Sequence, residues 1–148
     1  MIVRRERLLP APPQDVWRAV TDPARLPAWW PGVSRVEDVS RDAWTKVFVS
    51  PKGRAVRADY TLVESEEPAR LLWRHEVDES PFERILASST AEISLEPRDG
   101  STLVRITIAQ RPRGWARFSP FQLRAAATRQ ASGALDGLAA LFGPEDGA

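Results

Sequence analysis

The chain has no cysteine among its 148 residues, which excludes disulfide staples, thiolate nucleophiles and cysteine-ligated metal sites. It has one histidine, His75, so the usual set of zinc ligands is missing and no metal is expected. Lysine is nearly absent as well: Lys46 and Lys52 are the only two, and almost all of the cationic charge is arginine. No apolar run approaches the roughly 18 residues that a membrane span requires. The first residues, Met1 to Arg7, lack the apolar core of a signal peptide. A net charge of +1 gives no broad electrostatic reason to bind nucleic acid. There is no G-x-S-x-G, no phosphate loop and no dinucleotide fingerprint, which counts against hydrolase, kinase and nicotinamide-enzyme readings. The expectation is one domain over 1–148, soluble and cytoplasmic, with no cofactor, no nucleic-acid partner and no membrane contact.

What the chain does contain is organised. Pro12 and Pro13 fix φ where a helix can start, and the run to about Val20 reads as a short helix. Asp22 caps a second helix with Pro23 in its first turn, and that helix stops before Pro31-Gly32. One strand precedes this pair, at 2–9. Further strands read at 34–40, 43–50, 54–63, 70–77, 82–96 and 102–111, with short turns between them, which implies an antiparallel sheet. A long final helix begins near Ser119-Pro120 and ends at Gly143-Pro144. Phe121, Ala125, Thr128, Ser132, Leu135, Leu138 and Phe142 recur at helical spacing and predict its buried face.

Alternation orients the strands. In 54–63 the even positions Val56, Ala58, Tyr60 and Leu62 are apolar or aromatic; in 70–77 the odd positions Leu71, Trp73, His75 and Val77 match them. A hairpin over Ser65–Pro68 predicts Asp59 opposite Arg74 and Arg57 opposite Glu76 outside, with Tyr60 opposite Trp73 and Ala58 opposite His75 inside. Ile85, Ala87, Ser89, Ala91, Ile93 and Leu95 face in from the next strand, opposed by Val104, Ile106, Ile108 and Gln110. In strand one Arg4 and Glu6 share one face and Arg5 and Arg7 the other, so a charge points inward or toward the rim in either case. An inward arginine would suit a carboxylate or enolate.

The opening residues Ala11-Pro12, Val16-Trp17, Asp22-Pro23, Pro27, Trp29, Pro31, Val33 and Val36-Glu37 resemble those of the START-like superfamily. This superfamily is also called SRPBCC or helix-grip, and the likeness is to its polyketide cyclase/dehydrase and lipid-transport group. The resemblance implies an α+β helix-grip fold: a curved seven-stranded antiparallel sheet wrapped around a long C-terminal helix, with two short helices after strand one. Many inner positions of sheet and helix are small, so the two surfaces either pack closely or leave space. A strongly curved sheet cannot touch a straight helix along its whole length, which favours space, and START-like proteins typically enclose such a chamber.

The expected guest is a small hydrophobic or aromatic molecule. Candidate ligand-binding residues are Trp30, placed at the cavity mouth, with Phe48, Tyr60, Trp73, His75, Ser89, Gln110, Phe118 and Phe121. No catalytic motif is visible. An alternative is a cyclase-like enzyme with His75 as base or acid and Tyr60 as proton donor. A third reading is a protein-interaction module using an apolar rim of Trp30, Trp115 and Phe118. Arg111, Arg113, Arg117 and Arg124 surround Trp115 and Phe118, a mixture that could touch an anionic headgroup or phosphate, but the favoured reading is a solvated loop over the pocket's rim.

Overall fold

The computed structural model describes residues 1–143. Its elements are β1 (Ile2–Leu9), α1 (Pro13–Val20), α2 (Leu26–Trp29), β2 (Val33–Glu37), β3 (Ala43–Val49), β4 (Ala55–Glu66), β5 (Arg70–His75), β6 (Leu86–Arg98), β7 (Ser101–Pro112) and α3 (Pro120–Phe142). The seven strands form one antiparallel sheet in the order β1-β7-β6-β5-β4-β3-β2, so β1 and β2 are its edges and α1 and α2 bridge from one edge to the other. The α+β helix-grip architecture follows: α3 lies across the concave face, and the sheet curves about it.

Local chemistry explains most of the boundaries. Pro12 and Pro13 open α1, which buries Val16, Trp17, Ala19 and Val20. The Asp22 carboxylate accepts from the Ala24 N–H at 3.0 Å, as expected of a cap, but the following segment divides into a 3-10 turn at Pro23–Arg25 and the single-turn α2. Asp38 takes φ +53 and ends β2 at Glu37, short of the predicted residue 40. The predicted strand start at 82 is also corrected. The Ser80 hydroxyl accepts from the Phe82 N–H at 3.2 Å and Pro81 presets φ, so Pro81–Arg84 forms a 3-10 turn and β6 begins at Leu86. The predicted helix stop at Gly143-Pro144 agrees as far as Gly143; Pro144 lies outside the described residues.

The β4–β5 register differs from the sequence expectation. Tyr60 lies opposite His75, Thr61 opposite Arg74 and Leu62 opposite Trp73, with a bulge between Leu62 and Glu64. The chain turns after Glu66 pairs with Arg70, later than a hairpin over Ser65–Pro68 requires, so the register slides by two residues. An even slide keeps every side chain on its predicted face but changes its neighbours. The expected outer charge pairs are therefore absent. Arg57 pairs with Glu37 and Asp38, Arg74 with Glu76 just past the end of its own strand, and Asp59 accepts from the Thr45 hydroxyl at 2.5 Å.

Helix α3 is rolled relative to its predicted face. Ala127, Ala131, Ala134, Leu135 and Leu138 are buried, whereas Phe121 and Ala125 are exposed. Small residues win because the α2 corner presses hard on the helix. A Cβ at Gly137 would sit 2.2 Å from the Trp29 carbonyl oxygen, and one at Gly133 would sit 2.8 Å from Pro31 Cγ. Strand one is settled in the same way. Val3 and Leu9 are buried, and Arg7 on their face reaches Asp136 of α3 at 2.5 Å at the exposed rim, so no arginine enters the interior from β1.

Substituting Gly137→Ala should destabilise the protein by roughly 1–3 kcal/mol or more, because the clash is with backbone that cannot rotate away. Gly133→Ala, which meets a proline ring edge, should cost less. Urea denaturation of the two variants checks the order.

Candidate functional site

Register assembles the site. Trp44, Tyr60, His75, Ser89 and Gln110 are successive cross-strand partners on β3, β4, β5, β6 and β7, forming one transverse row on the concave face. On one side of this row lie Lys46 opposite Ala58 and Phe48 opposite Val56. On the other lie Leu62, Trp73, Ala91 and Ile108, which continue the apolar core. Tyr60, His75, Ser89 and Gln110, the polar residues that β4 to β7 turn inward, thus fall into a single line, with Lys46 of β3 beside it.

Above this line, under the N-terminal half of α3, is a cavity of about 340 Å³. Its walls include Phe48, Tyr60, His75 and Phe82, and its roof is Leu123, Ala126, Ala127 and Gln130. The aromatic wall is ordered. The Tyr60 and His75 rings stack at 4.8 Å, and Phe82 meets His75 edge-on at 4.7 Å. Among the described residues, no arginine, lysine or carboxylate lines the space.

Its polar groups are only partly satisfied. The Gln110 side-chain amide donates to the Ser89 hydroxyl at 3.2 Å, which leaves Gln110 Oε1 buried without a partner. His75 Nε2 is also buried and unpartnered. Burial pushes the His75 imidazole down to about 4, and the nearby Lys46 charge pushes the same way, so the ring is neutral at pH 7. Burial raises the Tyr60 phenol, which therefore stays protonated as a donor. Unmet hydrogen-bonding groups beside an apolar cavity are what a bound molecule would satisfy.

Beside the row, between Trp44 and Phe48 on β3, sits a lysine that sequence reasoning missed. Lys46 has no exposed surface, and its Nζ has no hydrogen-bond partner. The ammonium position lies 4.0 Å from the Trp30 ring centroid, 4.2 Å from Tyr60 and 4.7 Å from Trp73. Three ring faces stabilise a charge there, by about 2 kcal/mol or more for a desolvated contact. Removing an ion from water costs several kcal/mol, so burial wins and holds the amine well below its ordinary range. The signal was present in the alternation: Trp44, Lys46 and Phe48 share one face, and Lys46 is the one polar member.

Of the sequence candidates, Phe48, Tyr60, His75, Ser89 and Gln110 meet at the cavity. Trp73 is buried in the adjoining core against Trp29, Trp30 and Trp44. Trp30 does not stand at a mouth. It is buried on Lys46 and Trp73 and so contributes nothing to an exposed rim. Phe118 and Phe121 point to solvent, because the roll of α3 turns Leu123 and Ala127 inward in their place. Among the described residues, no group of acidic, histidine or cysteine side chains is placed to hold a metal, and no helix is long and apolar enough to cross a membrane.

The family described as polyketide cyclase / dehydrase and lipid transport matches residues 1–143. Among proteins of curated function, none matches the chain. Solved structures share the fold. A START superfamily protein from Mycobacterium smegmatis is similar at 12% identity and TM-score 0.76, over 95% of this chain and 96% of that one. TTHA0849 from Thermus thermophilus is similar at 21% identity and TM-score 0.75, over 93% of this chain and 94% of that one. The di-domain ARO/CYC StfQ from the steffimycin biosynthetic pathway is similar at 14% identity and TM-score 0.74, over 96% of this chain and 51% of that one.

Two measurements check the electrostatics. The chain has one histidine, so its imidazole signal in an NMR titration is unambiguous and should move with a midpoint near about 4. Because the unfolded ring titrates near ~6.5, the unfolded state takes the proton first. The contribution of His75 to stability is therefore complete above that value and falls as pH drops toward 4. Separately, Lys46→Met should keep or raise stability, by up to roughly 1–3 kcal/mol, since it removes a buried amine that burial penalises and breaks no hydrogen bond seen among the described residues. A lower melting temperature for this variant would mean that the ring faces more than offset the lost hydration.

Proposed function

We propose that this chain, which belongs to the polyketide cyclase/dehydrase and lipid transport family, binds a small, uncharged and largely apolar molecule in the cavity between its sheet and α3. One observation carries this reading: an apolar, uncharged cavity of about 340 Å³ faces two buried polar atoms, His75 Nε2 and Gln110 Oε1, that have no partner among the described residues. A cavity of ~150 Å³ holds one benzene ring, so this one suits two or three fused rings or a comparable aliphatic body. Burial at about 25 cal/mol per Å² would supply most of the affinity, and the aromatic wall favours a flat guest. Gln110 Oε1 only accepts, so the guest should bring a hydroxyl or N–H; a carboxylate would find no cation on the walls. Phe48, Tyr60, His75, Ser89 and Gln110 are the residues assigned to ligand contact. The lipid-transport part of the family description fits the same cavity, and a cytoplasmic location is its natural setting.

A catalytic role is the second reading. The observation in its favour is that His75 is neutral with Nε2 unpartnered, as a proton acceptor must be. It ranks second because a base whose conjugate acid titrates near 4 removes protons only from acidic positions. On an established substrate, unchanged turnover in both His75→Ala and Tyr60→Phe would exclude it.

Binding is tested by native mass spectrometry and by titration with naphthalene, 2-naphthol and 2-naphthoate. The hydroxylated, uncharged compound should bind best, Gln110→Leu should erase its advantage over naphthalene, and Val56→Trp should abolish uptake while leaving the fold intact by circular dichroism. If no member of the panel and no molecule from a cell extract is retained, the reading fails.

A further inference from the structure

Residues 111–135 contain five arginines, Arg111, Arg113, Arg117, Arg124 and Arg129, and no acidic residue. Among the described residues, none of the five forms an ion pair. The same segment exposes Trp115 at 60%, Phe118 at 81% and Phe121 at 80%, the three most exposed large hydrophobic side chains described. They sit on the 3-10 turn Gly114–Arg117 and the first turn of α3, at the end of the helix that overhangs the cavity. The turn is held firmly: the Arg113 N–H donates to the Ile85 carbonyl at 2.8 Å, and Gly114, at φ +63, packs too closely on the Arg84 carbonyl to admit a Cβ. The carboxylate contributed by the adjoining 3-10 turn, Glu83, is occupied by the Glu79 N–H at 2.9 Å.

Clustered exposed rings on a rigid corner are normally covered by something. The sequence alone favours a solvated rim over a headgroup contact for this segment; the outward direction of all three rings reverses that order. We propose that this corner is an interfacial docking surface for an anionic lipid bilayer. Trp115, Phe118 and Phe121 would enter the headgroup layer, and the surrounding arginines would face lipid phosphates. Charge complementarity selects an anionic surface, since among the described residues no carboxylate pairs with these arginines. Position selects a bilayer over an acidic protein. A groove of about 180 Å³ beside Trp115 shares Ile85, Leu123 and Ala126 with the main cavity, so the docked corner is contiguous with the space suited to an apolar molecule.

The proposal rests on charge and exposure, and its test needs no cavity ligand. The protein is sedimented with vesicles of phosphatidylcholine alone and of phosphatidylcholine with phosphatidylglycerol. Binding is expected only to the anionic vesicles, weakening about tenfold or more when salt shortens the Debye length. A Trp115→Ala, Phe118→Ala, Phe121→Ala variant, altered only at exposed positions, should fold normally and lose at least about tenfold in affinity. An Arg117→Glu, Arg124→Glu variant should lose binding with its rings intact. The cavity-blocked Val56→Trp variant should still dock, which separates this proposal from the ligand-binding reading. Equal binding to neutral vesicles, no binding to either, or binding indifferent to these substitutions overturns it. So does a concentration-dependent dimer, or capture of an acidic protein, that the triple variant abolishes while vesicles are ignored.

Discussion

The contact between the α2 corner and the glycines of α3 is the constraint on which the interior depends. At Gly137 the helix backbone meets the Trp29 carbonyl with no room for a single methyl, and at Gly133 it meets Pro31. That end of a helix about 35 Å long is clamped to the sheet, with Ala131, Ala134, Leu135 and Leu138 buried beneath it. A straight helix held at one end of a curved sheet must stand away from it at the other. The cavity under Leu123, Ala126 and Ala127 is the space this leaves, and the exposed turn at Gly114–Arg117 is where the chain reaches the lifted end.

The concave face is divided accordingly. Trp29, Trp30, Trp44 and Trp73 fill the core beside the clamp, with ring centroids 5.3 to 6.2 Å apart. Lys46 is enclosed by this cluster and Tyr60, so the nearest amine is walled off from the cavity by aromatic faces, yet it lies close enough that charge on it would depress His75. The row Tyr60, His75, Ser89, Gln110 forms the boundary between the filled core and the hollow. Polar groups on such a boundary are spared the full cost of dry burial only if a water or guest meets them. Specificity would then come from two or three atoms, and affinity from the surrounding apolar wall.

Much of this was legible in the chain and some was not. Tyr60, His75, Ser89 and Gln110 could be placed on the inner face because alternation within a strand is local. Their assembly into one row could not be foreseen: expecting Tyr60 opposite Trp73 rather than His75 was an error of two residues, caused by the bulge after Leu62 and a later turn. Phe121 looked like a core residue because helical periodicity finds an apolar stripe but gives no weight to how closely a neighbour approaches. A lone lysine in a strand is ordinarily a surface residue, and only the convergence of the Trp30, Tyr60 and Trp73 rings accounts for the burial of Lys46.

The amino-acid order by itself therefore determined most of the elements, their sequence along the chain, the face that β4 to β7 turn inward and, through the opening residues, the family resemblance. These depend on side-chain period, caps and prolines, which act within a few residues. The tertiary structure decided the register of β4 on β5, the roll of α3, the enclosure of Lys46 and the place of the hollow. Those depend on which backbones can approach each other, a condition set by residues as far apart as Trp29 and Gly137 and by no short stretch of sequence alone.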